Sequence, residues 1–197
     1  MRRLLPAAVA ATAVAATAVA VTPVRAEVVA QSDAGFTLRI ETTVQAAPEA
    51  AWKALIAPAT WWSPDHTYTG DAANLYLDAQ ATGCFCELLA KPASEGTRRG
   101  SVEHAHVIYA DPGKILRLSG AFGPLQSEAL TATLTVSLKP EDGDTRIVWD
   151  YVVGGYMRMK AEAIAPLVDQ VMSQQAARLA AKAGEGAAPA AEAPQGL

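Results

Sequence analysis

The sequence predicts an α+β domain: an antiparallel sheet of about seven strands, with a long C-terminal helix covering one face. Three observations lead there. Six strand-like segments follow one another between residues 74 and 155, joined by short turn-rich linkers. Strands connected this way pair antiparallel, because a parallel pair needs a long crossover. One further strand and two short helical segments precede them, and a single amphipathic pattern ends the domain over about 159–182. A helix with an apolar stripe of that length has to bury the stripe against the sheet.

The folded part is expected to be shorter than the chain of 197 residues. Residues 1–26, MRRLLPAAVAATAVAATAVAVTPVRA, place Arg2 and Arg3 ahead of an uncharged Ala/Val/Leu run and end on Val24-Arg25-Ala26. That is the layout of a secretory signal, with cleavage expected before Glu27 and a periplasmic or secreted mature protein. An uncleaved membrane anchor is the competing reading of the same run. The Ala-rich composition and the small-residue site favour cleavage. Residues 184–197 are Ala/Pro/Gly-rich without an aromatic residue and are expected to form a disordered tail. Residues 27–183 remain, the size of one ordinary domain.

The elements follow in order. FTLRIETTV (36–44) alternates, with Phe36, Leu38 and Ile40 on one face and Thr37, Arg39 and Glu41 on the other, as a half-buried strand does. In APEAAWKALI, Pro48 suits a first helical turn and Glu49 the positive end of the helix dipole. Trp52, Leu55 and Ile56 then fall on one helical face. PATWWSPDHTYTGD is broken by Pro58 and Pro64 and reads as a turn or short second helix, then a loop. The six strands are expected at 74–79, 83–91, 100–109, 114–122, 130–140 and 145–155, with turn chemistry in PASEGT, DPG and EDGD. Leu134, Val136 and Leu138 share an inward face, as do Ile147, Trp149, Tyr151 and Val153. In the last segment Ile164, Leu167, Val168, Val171, Met172 and Leu179 form a helical stripe, with Pro166 inside it either starting the regular part or kinking it.

Composition narrows the function. The formal net charge is −4, and no basic cluster is longer than Arg98-Arg99, so a nucleic-acid partner is not expected. There is no Ser-His-Asp order with a nucleophile elbow, no phosphate loop and no dinucleotide fingerprint.

The element order and several of its motifs resemble the SRPBCC or START-like superfamily, in its polyketide cyclase and ATPase-activator-like branch. The resemblance runs through TTVQAAPEAAWKAL, GCFCE, DPGKILRLSG, GPLQ and TRIVWDYVVGGY to the long helix, covering about residues 34–182. It implies the helix-grip fold, a curved antiparallel sheet wrapped round the C-terminal helix with an apolar cavity between them. It also implies an apolar small molecule or lipid as partner, held by a carrier or sensor that needs no cofactor. An enzyme acting on an aromatic or polyketide-type substrate is the alternative. The ATPase-activator role is not carried over, because an exported protein meets no cytosolic chaperone ATPase.

Two clusters could carry chemistry. In WWSPDHTYTG, Trp61, Trp62 and Tyr68 are expected at a cavity mouth, with Asp65 and His66 as polar groups; ordinary packing of loop aromatics is the competing reading. Trp149, Tyr151, Leu167 and Val171 are expected to line the cavity or its core. The second cluster is cross-strand. Cys84 and Cys86, at i and i+2, share one strand face, as do His104 and His106. Cysteine Cα atoms ~6.5 Å apart, with parallel Cβ vectors, disfavour a disulfide while the strand is regular, though a bulge would allow one. A symmetric hairpin sets Cys84 opposite His106 and Cys86 opposite His104, four ligand types suited to zinc or copper. The same register sets Glu87 opposite Glu103, which is unfavourable. The plainer alternative is that the cysteines are small buried residues and the histidines partner backbone or solvent. Glu87, Glu103 and Asp150 are the strand carboxylates. One facing the cavity is expected to have a raised pKa and to be a general-acid candidate, with Glu103 and Asp150 expected outside.

Overall fold

The computed structural model describes residues 24–91, 94 and 96–185. Most of the expected secretion signal and of the expected tail therefore lies outside the described residues. Strand β1 (Arg25–Ser32) and β2 (Gly35–Val44) form a hairpin, followed by helix α1 (Pro48–Leu55). Three single 3-10 turns, at Pro58–Thr60, Pro64–His66 and Ala72–Asn74, lead to β3 (Leu75–Leu77). Then come β4 (Cys84–Leu88), β5 (Ser101–Asp111), β6 (Ile115–Ser119), β7 (Ala129–Glu141) and β8 (Asp144–Tyr156), before the long helix α2 (Ala161–Glu185).

All neighbouring strands pair antiparallel in one eight-stranded sheet of order β1-β2-β8-β7-β6-β5-β4-β3. This is the helix-grip architecture, with one strand more than the expected count. The added strand is β1. Its sequence alternates weakly, and only Ala26, Val28 and no larger apolar side chain are half-buried. Pairing with β2, from Arg25 opposite Glu41 to Ser32 opposite Gly35, is what holds it extended.

The centre of the sheet follows the expected inward faces. Leu38 and Ile40 of β2 stand opposite Tyr151 and Trp149 of β8, which stand opposite Leu134 and Val136 of β7. All six are buried. Each such aliphatic side chain removed from water contributes roughly 1.5–3 kcal/mol, so this block anchors the domain. Helix α2 packs on β2 and β1 and against α1. Its two halves differ. Ala176, Ala180, Ala183 and Gly184 are buried in the C-terminal half, and small contact residues allow a close approach to the sheet. Ile164, Leu167, Val168 and Val171 occupy the N-terminal half, where a pocket opens beside the helix. Pro166 lies on the exposed side within the helix, which continues through it.

The register between β4 and β5 shifts by one residue between Phe85 and Cys86. Cys84 stands opposite His106 and Phe85 opposite Ala105, but Cys86 stands opposite Glu103. His104 is the residue left over, so β5 carries a bulge. Gly120, just past the end of β6, packs directly on it. A Cβ at Gly120 would sit 2.6 Å from Ala105 Cβ and closer still to the His104 carbonyl oxygen. Backbone on both sides leaves no flexible group to move aside. Gly120→Ala is expected to cost about 2 kcal/mol, in the range of overpacked cores. Thermal unfolding would read this as a midpoint lowered by roughly 5 °C.

Candidate functional site

Side chains alternate along β4. Phe85 and Glu87 face the interior, where Phe85 packs on Trp62 with ring centroids 5.3 Å apart. Cys84 and Cys86 face the other way, and Cys86 lies opposite Tyr76 of β3. The two cysteines are joined in a disulfide with Cα atoms 5.4 Å apart. This corrects the expectation for a regular strand. The cysteines are drawn together beside the bulge, and 5.4 Å is within ordinary disulfide spacing.

The bulge also undoes the expected four-ligand zinc or copper site. Because β5 carries an extra residue, its side-chain alternation breaks at His104 and Ala105. His106 stays opposite Cys84 on the outer face, exposed, with Nδ1 3.1 Å from Glu103 Oε1. His104 turns inward instead. Its ring lies 5.2 Å from that of Phe85 and 5.9 Å from that of Tyr68. The thiols are spent in the disulfide, and the histidines occupy opposite faces, so Cys84, Cys86, His104 and His106 do not fit a metal ion. Among the described residues no other cluster of His, Cys, Asp and Glu does. The shift also moves Glu87 opposite Val102 rather than Glu103, which removes the like-charge pair.

The inward turn brings His104 to Glu87. His104 Nε2 is 3.1 Å from Glu87 Oε2, and both side chains are buried. Glu87 receives two more donors from the aromatic segment: the Tyr68 amide donates to Oε2 at 3.0 Å and the Thr69 amide to Oε1 at 2.7 Å. Burial by itself raises the Glu87 pKa. The hydrogen bonds from the Tyr68 amide, from the side chain and amide of Thr69 and from His104 outweigh it, so the carboxyl sits below its ordinary value. The expected raised pKa is thus corrected, and Glu87 is an anchored carboxylate rather than a general acid. Burial also lowers the His104 pKa, and Glu87 offsets this only in part. At neutral pH the imidazole is uncharged. A carboxylate only accepts, so the ring nitrogen facing it carries the proton. Nε2–H therefore donates to Glu87, and Nδ1 is left as an acceptor with no protein partner among the described residues.

This pair forms one wall of a pocket of about 500 Å³ between the sheet and the N-terminal half of α2. Trp62, Tyr68, Leu167 and Val171 line it, joined by Phe122 and Met172. Asp65 and His66 are at its rim, and His66 Nε2 meets Gln174 Oε1 of α2 at 2.8 Å rather than Asp65. The other expected lining residues are core. Trp61 and Trp149 pack edge to face with centroids 6.2 Å apart and border only a small separate void of about 20 Å³. Tyr151 is buried, and its hydroxyl accepts the Phe122 amide at 3.2 Å. Burial, opposed in part by that amide, raises the Tyr151 pKa.

The aromatic segment is a fixed wall. The Ser63 amide donates to Oε1 of the buried Gln175 at 2.9 Å, and Arg178 Nε donates to the Trp61 carbonyl at 2.6 Å. The Trp62 indole donates to the His66 carbonyl at 3.1 Å. Tyr68 spans the mouth, its hydroxyl 3.1 Å from Gln126 Oε1. Gln175, Phe122 and Gln126 were not singled out from the sequence. The α2 stripe holds a signal for Gln175, a polar residue in line with Met172 and Leu179 on a buried face.

No protein-family model matches the chain, and no curated protein matches it. Solved structures do. The Mll3558 protein from Rhizobium loti superposes with a TM-score of 0.54 at 20% identity, over 82% of this chain and 99% of that one. Ms6760 from Mycobacterium smegmatis gives 0.54 at 16% identity, over 87% and 99%. An uncharacterized protein from Rhizobium leguminosarum gives 0.52 at 20% identity, over 83% and 99%. At these identities the likeness is one of fold.

Two outcomes follow from the buried pair. Glu87→Ala strands two amide donors and an imidazole N–H, and should lower the unfolding free energy by about 3 kcal/mol in denaturant titration. The pH dependence has one sign. Both groups have folded pKa values below their ordinary 6.5 and 4.5, so the unfolded chain binds protons first. Stability should be full above about pH 6.5, decline as His104 is driven to protonate, and drop again below about pH 4.5 as Glu87 does. His104→Phe should flatten the first decline.

Proposed function

We propose that this protein is an exported carrier or sensor of the SRPBCC, or START-like, superfamily that holds an apolar small molecule or lipid between sheet and C-terminal helix. The pocket of about 500 Å³ carries this reading. Its size lies within the usual range for small-molecule sites, and its lining is aromatic and aliphatic with few polar groups. Leu167 and Tyr68, both more than half exposed, leave an apolar rim where such a ligand would enter. The superfamily assignment rests on the sequence motifs together with the helix-grip fold. Export rests on residues 1–26, and the Cys84–Cys86 disulfide suits an oxidising compartment.

A second reading has its own observation. A neutral imidazole held by a buried carboxylate in a pocket wall has the form of a general base, which suits an enzyme acting on a bound aromatic or polyketide-type substrate. The carrier reading is preferred because the larger part of the described lining, from Trp62 and Phe122 to Ile164, Leu167, Val168, Val171 and Met172, is apolar.

Binding of N-phenyl-1-naphthylamine, an uncharged probe that fluoresces in apolar surroundings, tests the carrier reading. Saturable binding to one site is expected. Val171→Trp, which fills the pocket from α2, should weaken it by about tenfold while leaving the thermal midpoint within a few degrees. Absence of saturable binding, or binding that Val171→Trp leaves unchanged, would refute the pocket as the site.

A further inference from the structure

Resting on the pocket reading above, we infer that the site selects an uncharged ligand with a hydroxyl group, alcohol or phenol, that donates a hydrogen bond to Nδ1 of His104. The inference names the polar end of a ligand whose body is apolar.

The geometry argues it in three steps. Glu87 fixes the ring. Its carboxylate is immobilised by the Tyr68 and Thr69 amides and takes the Nε2 proton, so the nitrogen left over is an acceptor. The ring itself faces inward, tilted between Tyr68 and Phe85 and lining the pocket. An acceptor in a pocket wall loses its water when an apolar ligand fills the space, and a ligand donor restores that hydrogen bond. An ether or hydrocarbon of the same shape restores none of it.

Charge completes the selection. Among the described residues that line the pocket there is no Lys or Arg, while Asp65 stands at the rim and the Glu87 carboxylate lies directly behind His104. A carboxylate ligand would enter an apolar site without a cation to meet it and with an anion one ring away. An ammonium ligand would find no unengaged carboxylate oxygen next to His104, since both Glu87 oxygens already accept. A neutral donor satisfies the wall without either cost.

The test compares 4-heptylphenol, its methyl ether 4-heptylanisole and 4-heptylbenzoate by displacement of N-phenyl-1-naphthylamine at pH 8. The phenol should bind about five- to tenfold more tightly than the ether, the factor expected for one buried hydrogen bond. The benzoate should bind most weakly. In His104→Phe the phenol and ether should become equal while both still bind. His104→Leu offers a second arm if that variant folds poorly: its side chain has no acceptor either, so the preference for phenol over ether should vanish while both still bind. Equal binding of phenol and ether to the unaltered protein, or tighter binding of the benzoate, overturns the inference and leaves the pocket reading standing. Failure of all three ligands and of the fluorescent probe overturns both.

Discussion

A carboxylate that is fully removed from solvent must be surrounded by donors, and in this protein the donors come from three separate parts of the chain. Glu87 lies on β4, His104 on β5, and the Tyr68 and Thr69 amides on the irregular segment between α1 and β3. The carboxylate therefore ties that segment to the sheet at one end. Gln175 and Arg178 tie the same segment to α2 at the other. The aromatic wall of the pocket is stretched between the two ties.

The strand pairing beneath this arrangement is irregular in a useful way. An even β4–β5 ladder would put His104 on the outer face beside the cysteines, and Glu87 would face inward without its imidazole partner. The single extra residue in β5 reverses His104 while leaving His106 outside. Gly120 admits the bulge because it has no side chain where the His104 carbonyl and Ala105 crowd it. The disulfide spans the β4 side of the same irregularity. Bulges beside functional sites commonly re-aim one side chain, and here the side chain re-aimed is His104, a polar group of the pocket wall.

The position of the pocket follows from α2. Alanines and a glycine bring its C-terminal half close to the sheet, whereas branched and longer side chains in its N-terminal half stand beside open volume. One helix thus seals one end of the sheet and leaves the other end accessible. Leu167, on the stripe of the helix yet more than half exposed, marks where the seal ends.

Much of this is legible in the sequence. Strict alternation in β2, β7 and β8 named the inward residues, because a period of two in a half-buried strand has only one burial solution. The Cys84–His106 pairing followed from hairpin symmetry. Trp62, Tyr68, Leu167 and Val171 border the pocket, whereas Trp61, Trp149 and Tyr151 lie in the core. Strand β1 was not legible, since its hydrogen bonds to β2 rather than its side chains hold it extended. The lowered pKa of Glu87 was not legible either, because its amide donors lie 18 and 19 residues away in a loop of no regular pattern. The fold class and the sheet's inner face depend on local periodicity and are written in the sequence. Which histidine meets the carboxylate is settled by the folded sheet, because a one-residue bulge flips a side chain without changing the pattern that precedes it.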